Sequence, residues 1–182
     1  MTQGSSFLAT LGWRSQSLWD WQTTFAPPFC VHATIPFRVC IHLVYSTKDR
    51  RPLLRDKPTR NALHSYLGGV SKQLDCPPFR VGGVEDHVHL LARFGRSITQ
   101  AEWVKELKRV SNLWLKERGR DYADFEWQGG YADFSVSQAN LEPVKQYIAG
   151  QEEYHRKIGF QDELRALLRK HEIEWDEKYV WD

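Results

Sequence analysis

One spacing occurs twice in this chain and limits the folds open to it. Leu63, Leu67, Val70 and Leu74 recur at intervals of four, three and four residues, and Trp103, Leu107, Val110 and Trp114 repeat the pattern. Each set lines one face of an amphipathic helix, predicting helices from about Pro58 to Leu74 and from Thr99 to about Arg118. Cys76-Pro77-Pro78 stops the first, because proline cannot continue a helix. Thr99 with Glu102 forms a capping-box pattern that starts the second. Between and around them the periodicity changes to two. Phe37 to Thr47 alternates through Val39, Ile41, Leu43 and Tyr45. Phe79 to Val84 leads through Gly82-Gly83 into a strand that runs from Asp86 to about Phe94.

Beyond the second helix, Phe125 to Val136 is aromatic with Gly129-Gly130 inside it, and reads as a strand or strand pair with a bulge. Asn140 begins a third helix with Leu141, Val144 and Ile148 as its stripe, and Leu164, Leu167 and Leu168 mark a short fourth. The end, Trp175 to Trp181, reads as an extra edge element. The order strand, helix, strand, strand, helix, strand is the ferredoxin-like (RRM-like) α+β arrangement, an antiparallel sheet with helices on one face and the other face free. Its first and third strands are central neighbours, so His42 lies near the third strand's histidines if register and face agree. Met1 to Pro36 lacks a sustained period and ends in Pro27-Pro28 and Pro36. It reads as a flexible N-terminal arm, or as upstream sequence read from an early start codon, ahead of one domain over residues 37–182.

Within that frame, Asp86-His87-Val88-His89-Leu90-Leu91 carries chemistry. Residues two apart on a strand share a face, so His87 and His89 project together and Val88 and Leu90 enter the core. Paired imidazoles are half of a metal site, or two histidines on a sheet face. On the third helix, Tyr147 and Gln151 stand four apart and project from one face, away from the apolar stripe. By themselves they describe a surface helix; with two imidazoles, Gln151 makes a three-ligand site with open positions and Tyr147 stands near it.

The combination of Asp86–Leu91 with Tyr147-Ile148-Ala149-Gly150-Gln151 resembles the single-tyrosine HUH transposases of bacterial insertion sequences, the insertion-sequence-two-hundred-like group, with REP-associated tyrosine transposases as cousins. His42–Lys48, Trp127–Tyr131, Phe134–Ser137 and Glu152–Lys157 resemble them in the same order, so the likeness spans Phe37 to Trp181. Gly129-Gly130 departs from the pattern, where one glycine and a variable residue are expected. The resemblance implies that His87, His89 and Gln151 bind a divalent metal, Mg²⁺ or Mn²⁺, and that Tyr147 is the nucleophile. It implies cleavage and rejoining of single-stranded DNA with hairpin ends through a 5′-phosphotyrosine, by a homodimer whose tyrosine helix can complete the partner's site, with Gly150 lending that helix freedom to swing. Alternatives are a domesticated hairpin-binding relative and a phosphodiesterase that uses water. Tyr154, seven after Tyr147, is a secondary candidate without a glutamine four residues on. His155 is read as a DNA contact or a helix-end cap, with a ligand role the minor reading.

Charge adds a weaker signal. The net charge of +2 does not argue for nucleic acid, but Lys48–Arg60 and Lys105–Arg120 are basic stripes. Arg50, Arg51, Lys105, Lys108 and Arg109 are the candidate phosphate contacts, against the reading of a solvated surface. The three cysteines show no zinc or redox spacing, which predicts free thiols in a reducing cytosol. No stretch reaches the roughly 18 apolar residues of a membrane span, and no secretory signal opens the chain.

Overall fold

A computed structural model of the chain describes residues 38–181, so the arm expected over residues 1–36 lies outside the described residues. Four strands, β1 (Cys40–Ser46), β2 (Pro78–Gly83), β3 (His87–Arg93) and β4 (Ala132–Ser135), form one antiparallel sheet in the order β2-β3-β1-β4. With α1 (Lys57–Gln73) after β1 and α2 (Gln100–Lys116) after β3, this is the ferredoxin-like order expected from the sequence.

The helices start where their caps dictate. The Asp56 side chain accepts from the Thr59 amide at 2.9 Å, and Pro58 in the first turn gives up no needed donor. At α2 the capping box is complete: Thr99 Oγ1 accepts from the Glu102 amide and Glu102 accepts from the Thr99 amide. Both helices bury their stripes against one sheet face. Leu63, Leu67, Trp103 and Leu107 meet Leu43, Tyr45, Val88 and Leu90 there, all buried. Two indoles inside this layer find serine partners, Trp103 Nε1 on Ser71 and Trp127 Nε1 on Ser111, as buried N–H groups require.

The opposite face, expected to be free, is covered. Helix α3 (Leu141–Ala149) packs Leu141 and Ile148 on Cys40 and Leu91. After the single turn α4 (Gln151–Tyr154), α5 (Phe160–Lys170) packs Phe160, Leu164 and Leu168 on Val44 and Phe134. The close fit of α3 depends on Gly82 of β2, since a Cβ there would lie 2.7 Å from both the Ile148 carbonyl oxygen and its Cγ2. Gly83 follows at φ +141°, a region L side chains rarely adopt.

Three local expectations change. Of Phe125 to Val136 only Ala132–Ser135 is strand, and Trp127 forms an isolated bridge with Thr47. The carbonyls of Gln128, Gly129 and Gly130 accept from the Lys108 ammonium instead of from a neighbouring strand. The Trp175–Trp181 end is no edge strand. Glu177 gathers Arg165 and the indoles of Trp175 and Trp181, folding the segment into turns against α5 and β4. The third helix also breaks at Gly150 (φ −89°, ψ 9°), so Tyr147 and Gln151 sit on α3 and α4 and not on one continuous helix.

Candidate active site

Register brings three histidines together. Ser46 pairs with His87, Val44 with His89 and His42 with Leu91, so the His42, His87 and His89 side chains share the face under α3 to α5. All three are buried, His87 and His89 completely. His87 Nδ1 lies 2.6 Å from Asp86 Oδ1. That contact fixes the ring and turns Nε2 into the site. His89 Nδ1 lies 2.9 Å from His42 Nε2. Burial, then the neighbouring His89, push the His42 pKa well below its usual value. The contact with His42 turns His89 Nε2 into the site. His89 Nε2 is buried with Glu163 Oε1 3.4 Å away and makes no well-formed hydrogen bond.

A carboxylate stands opposite these nitrogens. Glu163 of α5 is fully buried. Its Oε2 is 3.4 Å from His87 Nε2 and 3.0 Å from His155 Nε2, and its Oε1 is 3.4 Å from His89 Nε2. Gln151 Nε2 donates to Oε1 at 2.8 Å, and the Tyr147 hydroxyl donates to the same oxygen. Gln151 Oε1 in turn lies 3.2 Å from His87 Nε2. One ligand atom from each of His87, His89, His155 and Glu163 falls within 4.8 Å of the others, so this group could hold a metal ion. Imidazole nitrogens and a carboxylate gathered in this way suit a divalent cation.

The electrostatics are those of a buried anion among imidazoles. Burial by itself would raise the Glu163 carboxyl, but His155 and His89 outweigh it and hold it well below the carboxylate range. Burial lowers His89, with Glu163 opposing. For His155 burial also disfavours the cation, yet its bonds to Glu163 and to the Ile158 carbonyl prevail and raise its pKa. Burial, followed by the Glu163 charge, raises the Tyr147 phenol.

The Tyr147 ring lies 5.8 Å from that of His89 and 5.5 Å from that of Tyr154, in the same chain. Tyr147, Tyr154 and Glu163 line a cleft of about 280 Å³ whose wall includes Asn140, Lys170 and His171. The proposed phosphate contacts lie elsewhere. Lys105, Lys108 and Arg109 are on α2, which packs on the other sheet face. Lys108 spends its three donors on carbonyls, and Arg109 pairs with Glu106. Arg50 lies over the Trp181 ring, and Arg51 is exposed beside it in the chain.

Sequence reasoning missed Glu163 and undervalued His155. The signal for Glu163 was positional: it falls three after Phe160 and four before Leu167, on the apolar stripe of α5, where an unpaired carboxylate is costly.

Comparison with known proteins agrees with the architecture. No curated protein matches the chain. Among solved structures, a candidate transposase of Deinococcus radiodurans aligns with a TM-score of 0.51 at 23% identity, covering 65% of this chain and 94% of that one. A REP-associated tyrosine transposase bound to a REP hairpin aligns with a TM-score of 0.50 at 11% identity, covering 66% of this chain and 72% of that one. These likenesses carry the fold. The family model described as Transposase IS200 like matches residues 36–151, well over half the chain. By that match, the protein belongs to the IS200-like transposase family.

Proposed function

We propose that this protein cleaves and rejoins single-stranded DNA with Tyr147 as nucleophile, the reaction being carried by the catalytic domain of residues 37–182. The observation that carries the reading is a tyrosine hydroxyl bonded into a buried histidine–carboxylate cluster at the wall of an open cleft. Membership in a transposase family supports the reaction class. A divalent ion, Mg²⁺ or Mn²⁺, held by His87, His89 and Gln151 would supply positive charge against the scissile phosphate.

The chain's own groups divide the remaining work. Asp86 and His42 orient the two imidazoles through their Nδ1 atoms, turning each Nε2 toward the site. Tyr147 is a weak nucleophile, since a phenol titrates near about 10 and burial raises this one further. Glu163 Oε1 accepts its hydrogen bond and orients the hydroxyl, whose proton passes to solvent as the ester forms. Attack of Tyr147 Oη on phosphorus forms the tyrosyl ester and breaks the bond to the 3′ oxygen, which leaves as a hydroxyl with a proton from solvent. The ester conserves the bond energy, so a 3′-hydroxyl can reverse the step and join strands without a nucleotide cofactor. Tyr154 lies beside Tyr147 but donates nothing to Glu163 among the described bonds.

The substrate is proposed to be a strand with hairpin ends, as the hairpin-bound relative suggests. A cytoplasmic homodimer completes the proposal. Tyr147 meets the histidines of its own chain, which supports cleavage in cis within each protomer. Among the described residues no helix is long and apolar enough to cross a membrane. The test is a labelled single-stranded oligonucleotide bearing a hairpin, incubated with Mn²⁺. A denaturant-resistant protein–DNA adduct that disappears in Tyr147→Phe is expected. Cleaved product without an adduct would mean that water is the nucleophile, and hairpin binding without cleavage would point to a binding protein.

A further inference from the structure

Resting on the reading that His87 and His89 bind a divalent ion, we propose that Glu163 is a further ligand of that ion, the single anionic donor of the site. The argument is one of convergence. Glu163 Oε2 lies 3.4 Å from His87 Nε2, Glu163 Oε1 lies 3.4 Å from His89 Nε2, and Gln151 Oε1 lies 3.2 Å from His87 Nε2. The carboxylate is completely buried and faces both imidazoles on which the metal reading rests. A buried carboxylate needs positive charge beside it, and an ion held among these atoms supplies that charge.

The geometry asks for little rearrangement. Ligand atoms within 4.8 Å of one another can each reach a common centre at bonding distances of roughly 2.0–2.4 Å after small side-chain movements. Glu163 is also held from behind. His155 Nε2 bonds one oxygen, Gln151 Nε2 and the Tyr147 hydroxyl bond the other, and His155 Nδ1 is anchored on the Ile158 carbonyl. Support of this kind orients a ligating carboxylate. The outcome is two histidines and one carboxylate with the glutamine amide beside them, a set whose imidazoles favour Mn²⁺ or Co²⁺ over Mg²⁺. It also places the ligand one bond from the nucleophile, because Glu163 Oε1 accepts from Tyr147.

Two measurements on the full chain test this without recourse to activity. The first is the anomalous difference map of wild-type crystals soaked in MnCl₂. A peak bonded to His87, His89 and Glu163 is expected. A peak bonded to His87, His89 and Gln151, with Glu163 outside bonding distance, overturns the proposal and leaves the metal reading intact; no peak at the histidines removes the metal reading itself. The second is calorimetric titration with MnCl₂ of wild type, Glu163→Gln, Glu163→Asp and Gln151→Ala, with circular dichroism in EDTA to verify folding. Losing the only anionic donor should weaken Mn²⁺ at least about 100-fold in Glu163→Gln, with Glu163→Asp intermediate. Wild-type affinity in a folded Glu163→Gln also overturns the proposal. The map needs no variant, so a Glu163→Gln chain that fails to fold leaves the question decidable.

Discussion

Gly82→Ala tests whether the tyrosine helix is positioned by the sheet. The new Cβ would lie 2.7 Å from the Ile148 carbonyl oxygen and 2.7 Å from Ile148 Cγ2, where ordinary contact begins at 3.4 Å, so something must yield by about 0.7 Å. The side-chain contact can be relieved by rotation, but the carbonyl belongs to the backbone of α3 and moves only with the helix. Ile148 adjoins Tyr147, so a displacement of that size reaches the nucleophile nearly undiminished. A misplacement near 1 Å can cost about 100-fold in rate, so adduct formation on the hairpin oligonucleotide should fall roughly 10- to 100-fold. Overpacking should cost about 1–3 kcal/mol in a denaturant titration. Ile148→Ala added to Gly82→Ala should not restore the rate, because the carbonyl remains. Gly69→Ala, with open space around its Cβ, is the matched control and should leave the rate unchanged. The competing outcome is that β2, an edge strand, moves outward instead. Lost stability at an undiminished rate would show this and refute the coupling between sheet and tyrosine.

Other expectations follow from single contacts. Asp86→Ala should weaken Mn²⁺ about 10- to 100-fold by calorimetry, because it frees the His87 tautomer. Ser111→Ala leaves the buried Trp127 indole N–H without its acceptor and should cost about 1–3 kcal/mol in chemical denaturation. His64 is mostly buried and its Nε2 has no partner; burial, chiefly, lowers its pKa to about 4. The unfolded imidazole takes up its proton near about 6.5, so between there and about 4 the unfolded state binds more protons. Stability should therefore be full above pH 6.5 and fall as the pH drops through that window, by at most about 3 kcal/mol from this group. His64→Leu should remove its share of that acid slope in urea titrations taken at successive pH values.

How far such features can be read in advance depends on the range of the forces involved. The stripes of α1 and α2, the Thr99 box and the proline stop are local. Each is settled by residues within a turn or two, and the element order then admits few topologies. The pairing of His87 with His89 on one face follows from strand geometry alone. The break at Gly150 is local too, but a glycine in a helical pattern is tolerated as often as it interrupts.

What only the tertiary structure decided concerns contacts across long sequence separations. Whether His42 joins the site depended on the register of β1 against β3, since slipping by one residue would turn its ring into the other layer. Lys108 read as a phosphate contact until the turn at residues 128–130 brought three carbonyls to its ammonium. Glu163 lay within a charged run, Asp162-Glu163, on a short helix whose docking nothing nearby specified. Its role arises because α5 lays its apolar stripe on Val44 and Phe134, and the carboxylate on that stripe then has nowhere to go but among the imidazoles. From sequence alone came the strand that carries two histidines and the tyrosine helix that answers it. The buried anion between them required the fold, because long-range packing decides which charge loses its water.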